Sequence, residues 1–280
     1  MTTSTRGTGN GRTTRLSAGA GEPVGADMIG LLKALKLGAM ADTLAQRAAL
    51  ARQHNLSHLG FLEQLLADEV SRRQSRSAAL RSTKAGLDQQ MRIDTWTAHD
   101  DLRYDRVLLQ DLVSLRFIEA GQSAIILGPV GVGKTHLATA LGHMVIGRRN
   151  TVVFARADKL FAKLRAARLD NTVDAELRRL ATIDVLIIDD FALRPLEATE
   201  TNDFYELVVE RHQHRPTIIT SNREPAEWLT MTADTLLTQS AVDRLTSNAH
   251  TLVIEGPSHR QRTRPRTGAL DQTATPRQAD

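Results

Sequence analysis

Eight consecutive residues, Gly128-Pro129-Val130-Gly131-Val132-Gly133-Lys134-Thr135, constrain this chain more than any other feature. They satisfy the pattern G-x-x-x-x-G-K-[ST], and they lie between a short apolar run and a stretch of helical spacing, which is the context that gives the pattern meaning. The glycines let the backbone curl so that successive N–H groups face inward, at the positive end of the following helix, where phosphate oxygens bind. Lys134 can then reach the β- and γ-phosphates, and the Thr135 hydroxyl can ligate Mg²⁺. With average residue usage the bare pattern would arise by chance in a chain this long on the order of one per cent of the time. His136 follows in the first helical turn and belongs to the stretch expected to contact nucleotide, with a structural role favoured over a catalytic one.

A nucleoside triphosphate site also needs a carboxylate near the Mg²⁺, normally at the end of a neighbouring strand. The run Val185-Leu-Ile-Ile-Asp189-Asp190 supplies it. Adjacent carboxylates at the end of a buried strand repel each other unless a cation or donors compensate, so Asp189 is assigned to the metal. Asp190 is assigned to polarising the attacking water, the alternative being a cap for the next helix. A further apolar run, residues 217–220, leads into Ser221-Asn222, and Asn222 is expected to position water or the γ-phosphate.

Apolar runs at residues 124–127, 151–155, 185–188, 217–220 and 252–254 alternate with helical segments. That alternation predicts an α/β fold with a parallel sheet covered by helices on both faces. Upstream, Met28, Leu31, Leu32 and Leu35, then Leu59, Leu62, Leu66 and Val70, recur at helical spacing and predict helices over 27–37, 39–55 and 57–83. One more helix is expected from Tyr104 to about Gly121. The predicted organisation is a disordered leader (1–25), a small basic all-helical domain (26–90), the nucleotide-binding domain (91–257) and a basic disordered tail (258–280). No zinc site is expected, because the nine histidines show no paired spacing and there is no cysteine. Nor is there a secretory signal or an apolar run long enough to span a membrane, which places the chain in the cytoplasm by expectation. The net charge is only +4 at a sequence pI of about 9.7. Its distribution matters more: Arg72, Arg73, Arg76, Arg81, Lys84 and Arg92 face a single nearby acid, Asp88, and are expected to suit a polyanion such as the DNA backbone. Trp96 and Trp228 are read as packing residues.

Taken together, the loop at 128–135, Leu186-Ile-Ile-Asp-Asp190, Thr217-Ile-Ile-Thr-Ser-Asn222, Trp228 after Pro225, Asp243-Arg244-Leu245 and Ile254-Glu-Gly256 resemble AAA+ NTPases, and among them the IstB-like ATPases. These are helper ATPases of bacterial insertion sequences, related to the helicase loader DnaC, and the resemblance covers roughly residues 27–260. It implies ATP and Mg²⁺ as cofactors, with contacts from Lys134, Thr135 and Asp189. It makes Asn222 the sensor I residue and Arg244 an arginine finger serving a neighbouring subunit's ATP, so a homo-oligomer is implied. Arg260, in Gly256-Pro-Ser-His-Arg, falls where such proteins place an arginine near the nucleotide, although His259 replaces their tyrosine. Many relatives carry Asp-Glu where this chain has Asp189-Asp190, which implies slow hydrolysis. The implied function is DNA-stimulated ATP hydrolysis coupled to assembly on target DNA, mainly duplex, in the service of a transposase. The alternatives are a helicase loader acting on single-stranded DNA and an ATP-dependent DNA scaffold with negligible hydrolysis. Capture of a replicative helicase by residues 27–84 would favour the loader, and phosphate release with duplex, single-stranded and no DNA separates the scaffold from both. Asp190→Glu tests the expectation of slow hydrolysis.

Overall fold

A computed structural model describes residues 24–96 and 101–258. The expected leader and tail fall almost wholly outside the described residues, and so does Arg260. The chain divides into two compact units between Arg76 and Ser77.

The first unit contains α1 (Ala26–Ala34), a 3₁₀ turn (Gly38–Met40), α2 (Ala41–Gln53) and most of α3 (His58–Lys84). The first helix ends at Ala34, short of the predicted 37, where Lys36 takes a left-handed φ of 56°, and Gly38 opens the 3₁₀ turn that follows. The core is small: Leu32, Met40 and Leu65 are buried, with Leu37, Ala41, Leu44 and Phe61 packed against them. Arg47 adds a two-pronged ion pair to Asp68, at 2.6 and 2.9 Å. Most of the apolar row that gives the helical spacing is exposed: Met28, Leu31, Leu35, Leu59, Leu62, Leu66 and Val70 lie outside this core. Periodicity locates the helices correctly and leaves open how many of their apolar positions the unit itself covers.

The second unit is built on five strands: β1 (Ser123–Leu127), β2 (Val152–Arg156), β3 (Val185–Phe191), β4 (Thr217–Ser221) and β5 (Ala249–Val253). All pair in parallel in the order β2-β3-β4-β1-β5. Parallel strands need crossover helices, and these are α6 (Lys134–Gly147), α7 (Ala157–Leu169), α8 (Val173–Thr182), α9 (Ala198–Arg211) and α11 (Thr235–Ser247), with the single turn α10 (Pro225–Trp228) before the last. Alternate strand residues serve opposite faces. Ile125, Leu127, Leu186, Ile188 and Ile219 pack with Phe161, Leu164, Phe204 and Trp228, whereas Ala124, Ile126, Val185, Ile187 and Ile218 pack with Leu137, Leu141 and Val145 of α6. The sheet is therefore buried on both sides, as the continuous apolar runs predict.

Two details position the site. The helix expected from Tyr104 to Gly121 is two, α4 (Arg106–Ser114) and α5 (Arg116–Glu119), separated by Leu115 at a left-handed φ of 60°. After α3 the chain follows the outer edge of β2, where the Phe154 N–H donates to the Ala85 carbonyl at 2.8 Å, and this covers an otherwise open strand edge.

Candidate nucleotide-binding site

Because the strands are parallel, the ends of β1, β3 and β4 converge on one rim, where their order departs from their sequence. β1 delivers the loop 128–133 there. Gly128 and Gly133 both take positive φ, 147° and 98°, and a side chain at Gly128 would put its Cβ 2.1 Å from the Ile254 carbonyl oxygen. At Gly133 the same atom would lie 2.8 Å from Trp96 Nε1, so the loop is closed in by its surroundings as well as by its own curl. α6 starts at Lys134 with no side chain capping its N-terminus, leaving those N–H groups turned to the cavity. Lys134 is buried, and its Nζ donates to the carbonyls of Gly128 and Pro129 at 2.7 and 2.9 Å.

β3 brings Asp189 against this loop. The Thr135 hydroxyl lies 2.9 and 3.2 Å from the two Asp189 oxygens, and the Thr220 hydroxyl donates to Oδ1 at 2.6 Å. Burial pushes the Asp189 carboxyl above the ordinary carboxylate range, and the charge of Asp190 pushes the same way, while the two hydroxyl donors oppose it. A cation would favour the ionised form. Among the described residues no group of three His, Cys, Asp or Glu could hold a metal ion by itself. The donor set of one hydroxyl and one carboxylate fits Mg²⁺ completed by phosphate oxygens and water.

Asp190 turns out of the strand at φ 55°, where the register slips between Ile188 and Phe191. Its carboxylate lies 4.0 Å from Arg156, the last residue of β2, and Arg156 also approaches Asp158 at 3.4 Å. Asn222 follows β4, and its Oδ1 is buried without a hydrogen-bond partner among the described residues, a polar atom at the edge of the site that a ligand or water would satisfy. Gly131, Lys134, Thr135, His136, Arg156, Asp190 and Asn222 line one cavity of about 710 Å³, large enough for a nucleotide. Its other wall is apolar: Met91, Trp96, Leu102 and Pro257. Trp96 stacks edge-on against Tyr104, with centroids 5.5 Å apart. His136 Nε2 is 2.9 Å from the Arg92 carbonyl and 3.2 Å from the Thr95 hydroxyl, tying the segment 92–96 to the first turn of α6.

Arg244 is elsewhere. It lines a groove with Ser123 and Thr217, the first residues of β1 and β4, while Lys134 and Asn222 follow the far ends of the same strands. Five-residue strands separate the two by at least about 13 Å. There Arg244 bonds to the Ser240 carbonyl and hydroxyl and lies 6.0 Å from the Tyr205 ring.

The basic residues are also sorted by the structure. Asp88 is not their nearby acid: Glu69, buried on α3, binds Arg72 at 2.7 and 2.8 Å and Arg73 at 2.6 Å. Those two guanidiniums hold the Glu69 carboxyl at about 2, well below its usual range. Arg81 donates to the Ile146 carbonyl at the end of α6. Arg76 and Lys84 are exposed and have no ion pair among the described residues. Thr220, Arg156 and the wall around Trp96 are the parts of the site that sequence reasoning missed. A signal existed only for Thr220, a hydroxyl within a run of buried β-branched residues.

The sheet order, the loop, the Asp189-Asp190 pair and Asn222 define a P-loop NTPase of AAA+ type. Residues 30–267 match the model for the IstB-like ATP-binding proteins, and the chain belongs to that family. It is 38% identical over 235 residues to an ATP-binding protein in an insertion sequence of Mycobacterium tuberculosis, an alignment covering 84% of this chain and 94% of that one. To the ATP-binding protein of insertion sequence IS21 from Pseudomonas aeruginosa it is 31% identical, with 89% and 93% covered. Among solved structures it is similar in fold to DnaI, with TM-score 0.52 and 19% identity over 60% of this chain and 94% of that one. AMPPCP-bound DnaA from Aquifex aeolicus gives TM-score 0.50 and 20% identity over 59% of this chain, and the match spans about half of the DnaA chain.

Proposed function

We propose that this chain is a Mg²⁺-dependent ATPase that assembles with copies of itself on DNA and, as part of an insertion sequence, serves a transposase. The observation that carries the reading is the placement of Arg244. Within one chain the nucleotide cavity is lined by the phosphate loop, Asp190 and Asn222, with the buried Asp189 bonded to Thr135 of that lining. Arg244 lines a separate groove at the opposite end of the strands, which supports a role toward another chain's nucleotide. A guanidinium supplied in this way stabilises charge on the transferring phosphoryl group and contributes about 10³–10⁵ in turnover. Head-to-tail contacts of this kind build rings or helical filaments.

Within the site, Lys134 and the loop N–H groups bind the phosphates, and Thr135 and Asp189 hold Mg²⁺, which neutralises phosphate charge when bound. Asp190 accepts a proton from water lying toward Asn222. DNA contact rests on Arg76 and Lys84, two exposed cations of α3 with no ion pair among the described residues, and on the insertion-sequence relatives. Phosphate contacts make such binding salt-sensitive and largely independent of sequence.

The test is direct imaging of the full chain with duplex DNA in ATP and in ADP. Ordered assemblies in ATP that are lost in ADP and in Arg244→Ala support the proposal. Assemblies indifferent to nucleotide, or formed only on single-stranded DNA with a replicative helicase, would replace it with a scaffold or a helicase loader.

A further inference from the structure

Thr220 is fully buried in β4, next to Ile218 and Ile219, where an apolar β-branched residue would fit the surroundings. A hydroxyl at such a position is unfavourable unless both its donor and its acceptor capacity are used. Both are. The oxygen accepts the Asp190 N–H at 3.0 Å, so its single hydrogen is free to go to Asp189 Oδ1 at 2.6 Å. The first bond falls where the β3 register slips, giving the Asp190 N–H an acceptor while that residue sits at φ 55°, a conformation that costs any non-glycine residue energy.

We propose that Thr220 is the positioning residue of the site, one hydroxyl fixing the side chain of Asp189 and the backbone turn that aims Asp190. This rests on the assignment of Asp189 to Mg²⁺. Thr135 cannot take the part of Thr220. Its hydroxyl also lies on Asp189, but it is the one assigned to the cation, so occupation of the site withdraws it. Thr220 is fully buried and is not among the residues lining the cavity, so its bond to Asp189 does not compete with a cation bound there. Partners that orient a metal-linked carboxylate are typically worth about 10–100-fold in metal affinity or activity.

Thr220→Ser and Thr220→Ala in the full chain isolate the hydroxyl, since both lack the methyl group. Two quantities are read: the Mg²⁺ concentration giving half-maximal binding of a fluorescent non-hydrolysable ATP analogue, and the single-turnover rate of ATP hydrolysis. Thr220→Ser is expected to stay within about threefold of wild type in both. Thr220→Ala is expected to need about tenfold more Mg²⁺ and to hydrolyse at least about tenfold more slowly, with analogue affinity at saturating Mg²⁺ changed by less than about twofold. Equal behaviour of the two variants, whether both normal or both impaired, would overturn the proposal. Thr220→Val, which keeps the side-chain shape, replaces Thr220→Ala if that variant does not melt cooperatively. Loss of folding in both with Thr220→Ser intact would assign Thr220 to stability instead. Absence of hydrolysis by the wild type would remove the ATPase reading alone, because the Mg²⁺ requirement is read without turnover.

Discussion

Asp190 lines the nucleotide cavity with a side chain one methylene shorter than glutamate, and Arg156 lies 4.0 Å from its carboxylate. Positional errors of about an ångström can slow a reaction about a hundredfold. Asp190→Glu is therefore expected to raise single-turnover hydrolysis by about tenfold or more in saturating DNA, and an unchanged rate would remove Asp190 from the chemistry. The arginines of α3 separate by the same local reasoning. Arg72 and Arg73 neutralise buried Glu69, so replacing both with alanine leaves a carboxylate without its partners and should lower the melting temperature. Arg76→Ala with Lys84→Ala should leave melting unchanged and weaken DNA binding. If both side chains meet phosphates, the slope of log affinity against log salt falls by about 0.9 for each phosphate left without its cation. From sequence these four cations look alike, because burial of Glu69 beneath two of them is a property of the folded helix surface.

At the scale of elements, the loop-to-helix junction is where sequence and structure agree most closely. The segment after α3 is where they differ. Residues 85–96 show no helical or strand periodicity, yet they follow β2, reach the phosphate loop at Trp96 and Gly133, and close one wall of the cavity. His143, on α6, fixes the start of this segment: its Nδ1 is 3.0 Å from the Ser82 hydroxyl and its Nε2 is 2.7 Å from the Asp88 carbonyl. Burial lowers the His143 pKa below its ordinary value, the bond to Asp88 opposing the shift only in part. The unfolded chain therefore binds more protons at this residue, and stability is lost as pH falls from about 6.5 toward the folded-state pKa. Melting scans between pH 7.5 and pH 5 should show this decline, flattened in His143→Gln; an equal decline in both would place the effect elsewhere.

For the whole molecule, the decisive arrangement is the placement of Arg244 and Lys134 at opposite ends of the same strands. Lys134→Ala and Arg244→Ala should each abolish DNA-stimulated hydrolysis. Mixed together they should recover part of it, since the Arg244→Ala chain keeps a sound phosphate loop for the partner's arginine. No recovery on mixing, with both variants folded, would count against a shared site. Among the described residues no helix is long and apolar enough to cross a membrane.

The sequence by itself determined the phosphate loop, the strand ends carrying Asp189 and Asn222, and the parallel sheet, because each is written in adjacent residues whose spacing matches one backbone geometry. Tertiary structure alone decided what depends on elements far apart in the chain. Thr220 reaches the Asp189 carboxylate and the Asp190 N–H only because β3 and β4 are neighbours, and Arg156 reaches Asp190 only because β2 ends beside β3. Arg211 is inward for the same reason: buried, it donates to the carbonyls of Leu180, Ile183 and Pro216, and burial pulls its pKa down to about 9, still charged at neutral pH. A side chain's type can be read locally. Its partners, and the sign and size of what they do to it, exist only once the chain has brought distant residues within a few ångströms.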